Sequence, residues 1–190
     1  MTHRPYFERA LHVLGTVAIG LGILAAAPMA EALWSFGSGH AEHGSRAPLA
    51  RLPNGELVAR ITIPRLGLDT PVYEGVAPAD LARGAGHLPG TALPGEEGGP
   101  NHCVVAIARD SSAAPISEDN VGENVTMRTP FGMRYYRVST KRVLPPDAVS
   151  TAATRTPLVT IVTPYPADSI GPAPMRLALT LVKTSPPRSE

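Results

Sequence analysis

Leu158-Val159-Thr160-Ile161-Val162-Thr163 is a six-residue run of apolar and β-branched side chains without a charge. It is too short for a stable helix and suits a strand covered on both faces. Cys103-Val104-Val105-Ala106-Ile107-Ala108 has the same character and reads as a second central strand. Shorter runs lie on either side of this pair. Arg60-Ile61-Thr62-Ile63 alternates polar and apolar and stops at Pro64, and Thr70 to Glu74 is another short strand. Val125–Thr129 and Met133–Val138 flank Pro130-Phe131-Gly132, a hairpin signal, with Lys141–Leu144 continuing or following the second arm. Met175–Val182 is the last strand. One helical candidate interrupts them, Pro78–Arg83, which Gly84 would stop, and His87–Gly99 is rich in turn residues. The pattern predicts an all-β, antiparallel or mixed barrel with one short helix; periodicity alone does not separate a barrel from a sandwich.

The 190-residue chain carries 21 prolines and 18 glycines, which fits short strands joined by turns. Its formal net charge of +1 points to no nucleic-acid partner. Cys103 is the single cysteine, so no intramolecular disulfide forms and any thiol chemistry depends on this one sulfur.

Val13 to Ala30 contains no charged residue, and with its flanks from Leu11 to Trp34 it has about the ~20 residues of a membrane helix. Arg4 and Arg9 precede it, opposed only by Glu8, which keeps the N-terminus inside. A cleaved signal peptide is the alternative, since Ala30-Glu31-Ala32 fits a small-x-small site, but the apolar run is longer than a usual signal core. The expected organisation is a cytoplasmic N-terminus (1–9), a transmembrane anchor (10–34), a flexible linker (35–55), an extracytoplasmic barrel (56–183) and a short tail (184–190). His40 and His43 read as solvated linker residues rather than half of a metal site. Neither metal nor cofactor is expected.

Four stretches, in order, resemble class D sortases. Ile61-Thr62-Ile63-Pro64-Arg65-Leu66-Gly67-Leu68 with Pro71-Val72-Tyr73-Glu74-Gly75 resembles the family's opening strands. Gly84-Ala85-Gly86-His87-Leu88-Pro89-Gly90-Thr91-Ala92-Leu93-Pro94-Gly95 is similar to its GxGHxPGTxLPG stretch. Leu158–Thr163 followed by Tyr165-Pro166 resembles LTLVTCYP, and Gly171–Arg176 resembles GxAPxR. The resemblance implies an eight-stranded β-barrel. It also implies an envelope cysteine transpeptidase that acts on surface-protein sorting motifs with a cysteine, a histidine and an arginine.

On this chain the arginine position is Arg176, but the cysteine position is Pro164 and the histidine position is Ala108, before Arg109-Asp110. Proline offers no nucleophile. No catalytic set is therefore intact, and Arg176 and Tyr165 remain as candidate substrate-binding residues. Cys103 should lie roughly 16 Å from Ala108 along one strand, too far for an attack that needs about 3–3.5 Å. Adjacent His102 should point to the opposite face and reads as a turn or surface histidine. His87 reads as structural within its loop. Thr163 and Tyr165 carry hydroxyls but no base beside them, while Asp110, Glu96 and Glu97 read as ordinary loop carboxylates.

Three functions follow from these residues. The first is a membrane-anchored pseudo-sortase that binds an extended peptide or an envelope partner. The second is an active transpeptidase or hydrolase with a relocated catalytic set. The third is a purely structural envelope protein.

Overall fold

The computed structural model describes residues 52–96, 101–109, 116 and 120–186. The apolar segment at 13–30 and its linker lie outside the described residues. Among the described residues no helix is long and apolar enough to cross a membrane.

Eight strands close into a barrel. They are β1 (Leu57–Ile63), β2 (Leu68–Glu74), β3 (Ala85–His87), β4 (His102–Ile107), β5 (Asn124–Thr129), β6 (Gly132–Leu144), β7 (Leu158–Tyr165) and β8 (Met175–Thr184). The neighbour order is β1-β2-β3-β4-β7-β8-β6-β5. The sheet is mixed, with β2 parallel to β3 and β4 parallel to β7. Parallel neighbours need a crossover. The β2–β3 connection supplies one that includes α1 (Pro78–Leu81), the one α-helix among the described residues, and the β5–β6 hairpin lies between β4 and β7 in the chain.

The strands read from the sequence are present, and Lys141–Leu144 continues the second hairpin arm within β6. Two features differ. Residues 85–87, to which the sequence pattern assigns no strand, form β3, a strand too short for any periodicity to show. Two short 3-10 turns, Pro64–Leu66 and Pro146–Ala148, also form where proline occupies a first-turn position.

Strand alternation sorts the side chains. Ile61, Ile63, Val72, Ala85, Cys103, Val105, Ile107, Met127, Ile161, Leu177 and Leu179 fill the interior. Val104 and Val162 face outward, yet both are buried, because Val149 from the β6–β7 connection and Leu88 cover them. This second layer explains why β4 and β7 read as continuous apolar runs: both faces are covered.

The two glycines of Gly84-Ala85-Gly86 are required by space. A Cβ on Gly84 would sit 2.5 Å from the Pro71 carbonyl oxygen, and one on Gly86 would sit 2.3 Å from that of Gly75. Backbone on backbone cannot be relieved by a side-chain shift.

Ile161 is fully buried at the centre of the interior. Ile161→Ala is expected to destabilise the barrel by about 2–5 kcal/mol, seen as a lower urea midpoint.

Candidate functional site

Because β4 and β7 are parallel, their C-terminal ends share one rim of the barrel, and the start of antiparallel β8 joins them there. Arg176 is directly across from Pro164. The last β4–β7 pair is Ala106 with Val162, so Ala108 and Pro164 each lie two residues beyond it on the same outward face. The three positions singled out by the sequence thus meet at one corner. Proline is tolerated in β7 because no β4 residue pairs with it, so its missing N–H leaves that ladder intact.

Among the described residues the corner contains no thiol and no imidazole. Pro164 is buried, Ala108 is half-buried, and Arg176 is 2% exposed. The Arg176 guanidinium turns onto its own chain, where Nη1 donates to the carbonyls of Ala173 and Met175 at 3.0 Å each. Burial lowers its pKa from the ordinary arginine value. The neighbouring Arg109 donates from Nη1 to the Ser169 carbonyl (2.6 Å) and to Ser169 Oγ (2.8 Å), tying the end of β4 to the β7–β8 loop. Tyr165 is on the other face of β7 and leans on the interior cluster. Thr163 is buried. Asp110 and Glu97 lie outside the described residues. Glu96 Oε2 accepts from the Leu93 amide at 3.2 Å.

Cys103 is at the other end. It pairs with Val159, five residues before Pro164 on β7, and faces the interior at 2% exposure. A cavity of about 20 Å³ opens beside it, lined among others by Ala92, Arg134, Tyr136 and Lys183. That volume holds about one water and excludes a peptide. Burial raises the Tyr136 phenol to about 12.

The folded domain has two imidazoles, His87 and His102. His102 was expected in a turn or on the surface. It is instead a buried β4 residue, bonded to the Ala152 carbonyl (2.8 Å) and to Thr160 Oγ1 (2.9 Å). It faces away from Cys103 and fastens the β6–β7 connection to the outer side of the barrel.

His87 is the larger surprise. Its Nδ1 is 2.6 Å from Glu74 Oε2, and both side chains are buried. Its Nε2 donates to the Ala92 carbonyl at 2.9 Å and is 3.0 Å from Thr91 Oγ1. Thr91 Oγ1 donates to the Leu88 carbonyl (2.8 Å) and accepts from the Val104 amide (3.2 Å). Burial works against a charged imidazole. The nearby Cys103 sulfur and the Glu74 carboxylate outweigh it and push His87 up to about 10. The Glu74–His87 contact was not visible in the sequence because it depends on the parallel register of β2 with β3, which places the two residues side by side. Alternation along β4, with Cys103 two residues before the His87 partner Val105, was the signal that could have placed the sulfur near this imidazole.

A sortase-domain family model matches residues 61–182. The chain belongs to the sortase family. Among solved structures, sortase C2 of pilus island 1 from group B Streptococcus is 25% identical, with a TM-score of 0.61 over 68% of this chain and 75% of that one. Sortase C-1 from Actinomyces oris is 26% identical, with a TM-score of 0.60 over 68% and 75%. Sortase A from Corynebacterium diphtheriae is 22% identical, covers 72% of this chain and 64% of that one with a TM-score of 0.63, and supports the fold. No curated protein matches the chain.

The Glu74–His87 pair makes stability pH-dependent. The folded pKa of about 10 is above the ordinary 6.5, so the pair stabilises fully below pH 6.5 and its contribution is lost as pH rises through 10. His87→Gln leaves a buried carboxylate without its cation and is expected to cost about 3–5 kcal/mol in mildly acidic buffer. The gap between wild-type and variant urea midpoints should narrow steadily as the buffer is made alkaline; a constant gap would contradict the charged pair.

Proposed function

We propose that the chain is a membrane-tethered, class D-type pseudo-sortase, held on the outer side of the cytoplasmic membrane, that engages an extended peptide or an envelope partner without cutting it. One observation carries this reading. The only thiol in the chain is buried inside the barrel, five strand residues from the corner where Arg176 meets Pro164 and Ala108. At ~3.3 Å per residue that is roughly 16 Å, and acyl transfer needs the nucleophile, the proton carrier and the oxyanion donor around one carbonyl. The imidazoles cannot move to the corner either. His87 is fixed by Glu74 and Ala92, and His102 by Thr160 and Ala152.

An extended peptide would run beside Arg176 and the β7–β8 loop, and the family's action on surface-protein sorting sequences supports a peptide as the partner's chemistry. The same corner supports a second reading, a purely structural envelope protein. The Arg176 guanidinium already bonds its own loop, and Val149 already covers the outer side of β4 and β7. A peptide must lift the β7–β8 loop to reach the cation, whereas a packing partner need not.

Restoration separates the readings. The double variant Ala108→His with Pro164→Cys should cleave sorting-motif peptides if the groove still accepts them. A folded double variant that neither binds nor cleaves such peptides favours the structural reading. Wild-type chain should show no turnover above background, and Cys103→Ser should leave that result unchanged. Wild-type turnover abolished by Cys103→Ser would instead establish a relocated catalytic set.

A further inference from the structure

We propose that the outer face of β5, β6 and β8 docks on an anionic phospholipid bilayer. The outward positions of these three adjacent strands hold Arg128, Arg137 and Arg142, and the strands contain not one Asp or Glu. An ordinary solvated face intersperses both signs. Basic side chains also serve to protect the open edge of a sheet. That explanation fails here, because the barrel is closed and each of these strands is paired on both sides.

Register shows which cations share the face. Arg137 is directly opposite Val182 on β8 and Asn124 on β5, so the three side chains stand together. Arg128 is opposite Met133, and Arg142 is opposite Ala178. All three arginines are exposed. Two carboxylates on adjoining segments are already engaged. Glu123 takes Arg65 at 2.8 Å, and Asp69 takes Arg60 at 2.7 Å and 2.8 Å.

Apolar side chains lie among these cations. Phe131 at the tip of the β5–β6 turn is 50% exposed, Met133 41% and Val182 42%. A soluble polyanion rewards the arginines but gains nothing from a projecting Phe and Met. A headgroup layer rewards both: phosphates meet the guanidinium groups and the acyl boundary takes the ring and the thioether. If residues 13–30 span a bilayer, the Gly- and Ser-rich composition of the expected linker, about 20 residues, would allow a reach of roughly 25 Å, enough to bring the face to its own membrane.

The test uses full-length chain with nanodiscs of phosphatidylcholine alone or with one lipid in three replaced by phosphatidylglycerol. Amide hydrogen exchange over 124–144 is the readout. Protection that appears only on the anionic discs and fades at high salt is the expected result. Each of Arg128→Gln, Arg137→Gln and Arg142→Gln should lower the docked-to-undocked ratio about five-fold, and Phe131→Ser should lower it at unchanged charge. Equal exchange on the two discs overturns the proposal. So does protection that soluble polyphosphate reproduces in the absence of lipid, which would identify an anionic polymer instead. Co-elution with the neutral discs reports the apolar N-terminal segment separately. Should it fail, anionic discs added in excess still read the face by the same exchange.

Discussion

The structure depends on one constraint: in a closed barrel every strand residue goes either in or out, and its neighbour goes the other way. Interior positions are held to apolar or hydrogen-bonded side chains, because almost no water reaches them. Outward positions answer to whatever loop or solvent lies over them. This alternation puts Cys103 inside and puts Ala108, Pro164 and Arg176 outside at one rim. The chemical separation of the thiol from the corner is therefore a property of strand register. Shifting register by one residue to move the sulfur outward would also turn Val105 and Ile107 out of the core.

The interior is not wholly apolar. Glu74 and His87 are placed face to face by the β2–β3 register, and the imidazole has an acceptor at each nitrogen. Such a pair is tolerated only because its lone pairs and protons are matched. Its effect extends beyond the two residues. Thr91, beside the imidazole, ties the turn at 88–91 to the β4 backbone, so the network holds the short β3 and the turn after it against the centre of the sheet. The outer layer is fastened by a parallel device, His102 tying the β6–β7 connection at Ala152 to β7 at Thr160.

Most of the strands were legible in the sequence because they rest on local patterns: apolar runs at 103–108 and 158–163, alternation at 60–63, and a Pro-Phe-Gly turn between two arms. What was not legible depends on pairing between distant segments. β3 has three residues and no period of its own. The burial of His102 follows from a connection fifty residues away that folds back over β4. The closeness of His87 to Cys103 needs the β3–β4 register. The corner at 108, 164 and 176 was visible only through resemblance, since nothing in the local pattern of Ile107-Ala108-Arg109 or Thr163-Pro164-Tyr165 marks it. That the Arg176 guanidinium bonds its own loop was not visible at all.

The glycines at 84 and 86 have a wider consequence. Both are demanded by carbonyl oxygens that leave no room for a methyl group, and the histidine after them is committed to a buried carboxylate. None of these requirements involves a reacting substrate. This stretch, one of the four on which the resemblance rests, is thus maintained by packing, so its presence alone does not tell a chain that cleaves from one that does not. Sorting the two groups requires inspecting the far ends of the fourth and seventh strands instead.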